Sequence, residues 1–92
     1  MEVFLMEESK VLELIAQVNK QMDIITGDTS VPKNVRNAIS EAKQKLNAAG
    51  DITVRISSAI YSVDGVSNDI NLPPQARTMV WNLLSMLESI KE

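Results

Sequence analysis

The 92-residue chain contains no cysteine and no histidine. The absence of cysteine excludes disulfides and thiolate metal sites, and it suits a reducing compartment. The absence of histidine removes the commonest general base, the commonest metal ligand and every histidine-containing triad. Only three glycines occur, Gly27, Gly50 and Gly65, and they form no glycine-rich phosphate loop. The sequence therefore predicts a protein that is not an enzyme and that binds no metal, cofactor or evident small-molecule substrate.

Long apolar runs are also absent. Residues 1–8, Met-Glu-Val-Phe-Leu-Met-Glu-Glu, hold only a short apolar stretch between acidic flanks, which matches neither a signal peptide nor a membrane span. An apolar fraction of 45% with 23% charged residues is typical of a folded globular chain. We therefore expect one domain over residues 1–92, located in the cytoplasm and without membrane contact.

Acidic residues outnumber basic ones by 12 to 9, so the formal net charge is −3. The distribution is uneven: residues 1–28 carry net −4, residues 29–50 net +3, residues 51–69 net −2, and residues 70–92 are neutral. An acidic chain is a poor electrostatic match for a dedicated nucleic-acid binder. A nucleic-acid partner is therefore unlikely from charge alone, although the basic segment keeps that class open.

Three breaks divide the chain into four segments: residues 26–30 followed by Pro32, then Gly50-Asp51, then residues 68–74. Prolines suit first helical turns, Gly50 suits a left-handed C′ position, and Asp51 suits an N-cap. Between the breaks apolar residues recur at steps of four and three: Val11, Ile15, Val18, Met22, Ile25; Val35, Ile39, Ala42, Leu46, Ala49; Ile52, Ile56, Ala59, Val63, Val66; Ala76, Val80, Leu83, Leu87, Ile90. This spacing and the short linkers predict an all-α, antiparallel up-and-down four-helix bundle. We interpret the segments as sharing a spacing, not as sequence repeats.

The fourth helix is apolar over more than its seam. Met79 and Met86 widen its apolar face, and Trp81 lies further from the seam. One interpretation is a central helix covered by the N-terminal Phe4, Leu5 and Met6; the other is a surface for a partner or a second copy, since Trp and Met are enriched at interfaces. Tyr61 falls nearly opposite the seam of helix 3, where it is either solvated or a binding anchor.

The second helix carries a short basic flank formed by Lys33, Arg36 and Lys43. No aromatic residues are interleaved with it, so the default interpretation is a solvated flank or one neutralised by the acidic first helix. The alternative is a phosphate-contacting surface. Around the third break, oxygen-bearing side chains cluster at Asp64, Asn68, Asp69 and Asn71. Their spacing matches no EF-hand loop and suits turns and caps, so we predict no metal there.

Several stretches resemble a known family: Val31-Pro32-Lys33-Asn34-Val35-Arg36, Ala59-Ile60-Tyr61-Ser62-Val63-Asp64, Ser67-Asn68-Asp69, Arg77-Thr78 and Trp81-Asn82. From about Val31 to Glu88 the chain is similar to a small archaeal group of uncharacterised proteins, number one hundred and forty-seven of its series. The resemblance implies a compact four-helix bundle in an archaeal cytoplasm and implies no activity. The chain departs from the family's pattern at Gly65, where an acidic residue is usual, and at Ile70, where a proline is usual.

Two functional hypotheses follow. The first is a non-enzymatic protein–protein interaction module, with itself as one candidate partner in a homodimer, using Tyr61, Met79, Trp81 and Met86. The alternative is a weak RNA- or ribosome-associated factor that uses Lys33, Arg36 and Lys43.

Overall fold

Four α-helices form all of the regular secondary structure in residues 8–91, which are the residues that the computed structural model describes. They are α1 (Glu8–Thr26), α2 (Lys33–Leu46), α3 (Ile52–Ser67) and α4 (Pro74–Lys91). The prediction of an all-α chain with four helices is thereby confirmed. Phe4, Leu5 and Met6, which one of the two interpretations of helix 4 places over it, lie outside the described residues.

Each helix packs against two of the other three. Within the described residues α1 contacts α2 and α4, and α3 contacts α2 and α4. Polar pairs give the direction of α1 relative to α2: Asn19 and Asn47 exchange side-chain amide hydrogen bonds of 3.0 and 2.7 Å, and Lys43 Nζ donates to Asp23 Oδ1. Between α2 and α3, Lys45 Nζ donates to Ser62 Oγ at 3.0 Å. These contacts are compatible with an up-and-down antiparallel bundle.

The core follows the predicted seam closely. Its buried members are Ile15, Val18, Met22, Ile25, Val35, Ile39, Ala42, Leu46, Ile56, Ala59, Val63, Ala76, Val80, Leu83, Leu87 and Ile90. Val11, Ile52 and Val66 are only partly buried and pack against this core. The expectation for Ala49 is wrong: α2 ends at Leu46, and Ala49 is exposed.

The connections also contribute to the core. Val31 and Leu72, each just before a proline, are 1% and 4% exposed, and Leu84 completes the apolar side of α4 at 8%. One polar side chain is buried among the described residues, that of Ser67, whose Oγ donates to the Asp64 carbonyl at 3.0 Å. This internal bond satisfies the hydroxyl, so its burial carries little desolvation penalty.

The link between α2 and α3 has the predicted cap. Gly50 has φ +123°, which L-residues with a Cβ rarely adopt. Asp51 is then the N-cap of α3, and its Oδ1 accepts from the backbone N–H of Thr53 at 2.7 Å and of Val54 at 3.3 Å. These bonds satisfy donors that the first turn of a helix leaves without a partner.

The second helical hairpin repeats the first at a distance of 41 residues. The pattern Asp-x4-Asp-x3-Pro-x3-Arg occurs at Asp23, Asp28, Pro32 and Arg36, and again at Asp64, Asp69, Pro73 and Arg77. Buried seam positions correspond at the same offset, as with the fully buried pair Leu46 and Leu87. The interpretation that the segments share only a spacing is therefore wrong.

Backbone geometry repeats together with the pattern. In the first hairpin the Val31 N–H donates to the Asp28 carbonyl at 3.1 Å, and Arg36 Nε donates to the Val31 carbonyl at 3.0 Å. The corresponding bonds in the second hairpin are Leu72 N to Asp69 O at 3.2 Å and Arg77 Nη2 to Leu72 O at 3.3 Å. Because each proline fixes φ and lacks an N–H, it suits the start of a helix. The arginine in the first turn then hydrogen-bonds the carbonyl of the residue that precedes the proline. The chain thus consists of two equivalent hairpins, residues 8–46 and 52–91.

Candidate interaction surface

The equivalence of the two hairpins allows each predicted interaction residue to be compared with a matched position in the same chain. At every such position the second hairpin has a large apolar or aromatic side chain where the first has a small or charged one. The pairs are Lys20 and Tyr61, Ala38 and Met79, Ser40 and Trp81, and Lys45 and Met86. The two hairpins therefore share a backbone plan and differ in surface chemistry.

Tyr61 lies on the outer side of α3, with 79% of its surface exposed. Val54, two turns earlier, is 61% exposed, and Ser58 and Gly65 fall on the same line along the helix at steps of four and three. We call Val54, Ser58, Tyr61 and Gly65 the α3 face. It lies opposite the buried side of the helix, which consists of Ile56, Ala59, Val63 and Ser67.

No residue of the α3 face carries a charge. The equivalent line on α1 consists of Glu13, Gln17, Lys20 and Ile24, where Lys10 and Glu13 also form an ion pair of 3.4 Å between exposed side chains. A solvated helix in this fold therefore tolerates charge at these positions. Depletion of charge together with an exposed aromatic ring is typical of protein interfaces.

The wide apolar face of α4 separates into two parts. Met79 and Met86 are partly buried and pack against the core. Trp81 is 48% exposed, so about half of the residue's surface is accessible to solvent. Of the two sequence interpretations for helix 4, core packing applies to the methionines, while Trp81 keeps a surface available for contact.

The basic flank of α2 is largely occupied by contacts within the chain. Lys43 forms an ion pair with Asp23 of α1, as the interpretation of a neutralised flank predicts. Arg36 is half-buried and directs Nε at the Val31 carbonyl, and its charge also lies near Asp28. Lys33 is exposed at the first turn of α2. The three residues therefore do not present three equivalent cations to a phosphate backbone.

The polar residues around the α3–α4 connection serve the turn. Asp69 Oδ1 accepts from the Asn71 N–H at 2.8 Å, and Asp69 Oδ2 accepts from the Asn34 side chain at 3.3 Å. Asp64 Oδ1 lies 3.4 Å from Ser67 Oγ. Within the described ranges, no group of three or more carboxylates is arranged to hold a metal ion.

Asp28 in the α1–α2 connection shows a perturbed acidity. Its Oδ1 accepts from Ser30 Oγ at 2.6 Å and from the Ser30 N–H at 2.9 Å. These two bonds, the hydroxyl foremost, lower the pKa of Asp28 below its ordinary value, and the charge of Arg36 adds to the effect. The carboxylate therefore favours the folded state whenever it is ionised.

Acidification should remove this contribution. Because the folded-state pKa of Asp28 is lowered, the stabilisation is fully present above the unfolded-state pKa of about 3.9 and is lost as pH falls through the folded value. The Asp28→Asn variant should therefore lose less of its free energy of unfolding on acidification than the parent protein, as measured by urea denaturation at a series of pH values. Ser30→Ala, which removes the hydroxyl donor, should shift the acid transition to higher pH. Identical acid profiles for parent and Asp28→Asn would contradict the assignment.

Comparison with known proteins matches residues 3–90 to the uncharacterised protein family UPF0147. The chain belongs to this family. A UPF0147 protein of Methanothermobacter thermautotrophicus is 46% identical over 81 residues, spanning 87% of this chain and 79% of the relative. One of Methanosarcina acetivorans is 39% identical over 89 residues, spanning 96% and 92%.

Two solved structures share the fold. A UPF0147 crystal structure from Thermoplasma acidophilum has a TM-score of 0.81 at 30% identity and covers 86% of this chain and 94% of its own. The crystal structure of MMP1188, a protein of unknown function, has a TM-score of 0.80 at 32% identity and covers 98% and 100%. The resemblance drawn from the sequence is thereby confirmed.

The family is uncharacterised, so the function of this chain is inferred from its own surface. None of the four helices, over the described residues, has the length and apolar character needed to span a bilayer. The exposed large apolar residues that sequence reasoning missed are Leu12, Ile24, Val54 and Ile70. The exposure of Val54 could have been predicted, because this residue has the same helical phase as Tyr61.

Proposed function

We propose that this UPF0147 chain is a cytoplasmic, non-enzymatic helical module, an up-and-down bundle that acts through protein–protein contacts made by its second hairpin. The observation that supports the proposal most directly is the exposed ring of Tyr61 on a helix face without charge. Exposed Tyr and Trp are favoured as anchors at protein interfaces, because they bury a large area with few rotatable bonds.

The comparison between hairpins supports the same conclusion. Lys20 and Ser40 stand where the second hairpin has Tyr61 and Trp81. The fold therefore does not need an aromatic ring at either position, since the first hairpin forms the same helices without one. Tyr61 is 79% exposed and Trp81 is 48% exposed, so neither side chain contributes its full area to the core. A contact with another molecule accounts for the aromatic rings of Tyr61 and Trp81, which packing within the chain does not require.

An RNA- or ribosome-associated role receives less support from the surface. Lys43 is paired with Asp23, and Arg36 secures the α1–α2 connection, so two of the three basic residues already have partners within the chain. Binding to a phosphate backbone depends on several cations acting together. The RNA hypothesis is therefore kept as an outcome of the experiment below.

Affinity capture from an archaeal extract, with and without nuclease and analysed by mass spectrometry, tests the proposal. We expect specific proteins to remain bound after nuclease treatment. The Tyr61→Lys/Trp81→Ser variant, which copies Lys20 and Ser40 from the first hairpin, should lose them and keep its fold. The matched control Lys20→Ser should retain them, because it changes the first hairpin.

Loss of every captured protein on nuclease treatment would contradict the proposal. The Lys33→Glu/Lys43→Glu variant would then identify the contact surface: if it abolished capture and the binding fell steeply with salt, the basic flank of α2 would be the site. Unchanged capture by the Tyr61→Lys/Trp81→Ser variant would also count against the second hairpin.

A further inference from the structure

We infer that the α3 face binds the α3 face of a second copy of this chain, with the two helices antiparallel about a twofold axis. This inference rests on the proposed function, because it names the partner of the same surface. The α3 face comprises Val54, Ser58, Tyr61 and Gly65, and it lies opposite the buried side of α3. Side-chain order, Gly65 and charge lead to a second copy as the occupant, and the available area determines how strong the pairing is.

The first line of evidence is the order of large and small side chains. Along the α3 face a large residue alternates with a small one: Val54, Ser58, Tyr61, Gly65. If two such helices run antiparallel about a point midway between residues 59 and 60, Val54 of one copy faces Gly65 of the other. Tyr61 of one copy then faces Ser58 of the other. Each large side chain meets a small one, and the face is complementary to itself, as a twofold interface requires.

The parallel alternative lacks this complementarity. In a parallel twofold pair each position faces its own copy, so Tyr61 meets Tyr61 of the second copy and Gly65 meets Gly65. Large side chains then hold the helices apart at one level and leave a gap at another, and poorly packed contacts lose dispersion energy. The side-chain order therefore selects the antiparallel arrangement.

The second line of evidence is Gly65. It occupies the interior of α3, where glycine is a poor helix former. A Cβ built at this position has no neighbouring atom within 4 Å, so packing inside the chain does not require a glycine. The equivalent residue of α1 is Ile24, which shows that the fold accepts a large side chain there. A glycine here allows a second helix to approach α3 closely, which accounts for the absence of a side chain.

The third line of evidence is charge. In the antiparallel pair, the side chains nearest the twofold axis approach their own copies, so like charges there would repel. The α3 face has none, whereas the equivalent line of α1 carries Glu13 and Lys20. Each chain has a net charge of −3, so two copies repel weakly at long range. Added salt screens this repulsion and should strengthen the association.

The available area determines how strong the pairing is. A standard interface buries about 800 Å² on each partner, and encounters at the low end of the size range are weak and transient. A single helix face with one tyrosine, which buries about 150–250 Å² when fully covered, falls well below that area. The dimer should therefore be weak and observable only at high protein concentration.

Sedimentation equilibrium over a wide concentration range, at low and high salt, tests the inference. The parent protein should show a concentration-dependent dimer that strengthens with salt. Val54→Glu/Tyr61→Lys, which copies Glu13 and Lys20 onto α3, should weaken the association at least tenfold. Gly65→Gln should do the same, and its urea midpoint should rise, because glutamine is a better helix former than glycine.

Ile24→Gln is the matched control, since it makes an exposed change at the position of α1 equivalent to Gly65. It should leave the association constant unchanged. A parent protein that stays monomeric throughout would overturn self-pairing, and retained capture of other proteins after nuclease treatment would show that the proposed function survives. If the parent protein stays monomeric and also captures no protein after nuclease treatment, both proposals are overturned. An association that Gly65→Gln leaves intact would place the dimer contact elsewhere.

The absence of cysteine provides a direct test of direction. A mixture of Val54→Cys chains and Gly65→Cys chains should form the mixed disulfide faster than either variant forms a disulfide with itself. Positions 54 and 65 on one helix are about 16 Å apart at 1.5 Å per residue, so antiparallel and parallel arrangements give distinct products. Faster bonding of position 54 to position 54 would overturn the antiparallel arrangement.

Discussion

Leu87→Ala should reduce the free energy of unfolding by about 2–5 kcal/mol. Leu87 is completely buried in α4 among core side chains. Truncation removes apolar contact area and leaves a cavity that the surrounding helices fill only partly. Small domains are stable by only about 5–15 kcal/mol, so this change removes a large share of the total. Urea denaturation followed by circular dichroism measures it.

The repeat supplies two comparisons for this prediction. Leu46 occupies the equivalent position in the first hairpin and is also fully buried, so Leu46→Ala should have a destabilising effect in the same range. Leu12 is 59% exposed, and Leu12→Ala should change the free energy of unfolding by about 0.5 kcal/mol or less. Equal effects at Leu12 and Leu87 would contradict the assigned core.

The helices and most of the core could be predicted from the sequence because one physical signal dominates them. An apolar residue every three or four positions defines one side of a helix, and burying that side is the main driving force of folding. Each predicted seam contributed three or more buried residues. The errors fell at the ends, as at Ala49, where helix length is decided by caps and turns instead of periodicity.

Two features of the fold escaped this signal. Val31 and Leu72 are buried although they lie in connections, because the turn before each proline folds inward and the following arginine holds it. The repeat was missed because few residues are identical between the hairpins, and the identities are spread along the pattern of Asp, Pro and Arg. Comparing the chain with itself at an offset of 41 residues would have revealed it.

The candidate surface was predictable in part. Helical phase placed Tyr61 opposite the core and Trp81 away from the seam, and both are exposed. Helical phase alone did not decide whether Met79 and Met86 are buried or exposed, because the neighbouring helices determine whether residues at the edge of a seam are covered. In the structure both methionines pack on the core. Gly65 was noted only as a departure from the family's pattern, because the sequence does not show what surrounds a position without a side chain.

The second large effect is expected at Gly50, where Gly50→Ala should destabilise the protein by about 1–3 kcal/mol. Gly50 has φ +123°, and a Cβ at this φ strains the backbone even though no neighbouring atom lies within 4 Å. The residue also precedes Asp51, which caps α3, so a shift in its backbone disturbs the hydrogen bonds that begin the helix. Urea denaturation measures the loss.

Gly65→Ala is the matched control, and it should act in the opposite direction. Gly65 lies within α3, and the space around a new Cβ is open. Alanine there should stabilise the monomer by up to about 1 kcal/mol, because it has fewer unfolded conformations to lose and a higher helix propensity. Both variants are compared with the parent at low protein concentration, where the proposed weak dimer would be dissociated. Destabilisation by both would mean that Gly65 already serves internal packing, and the reason for assigning its open side to a second copy would be lost.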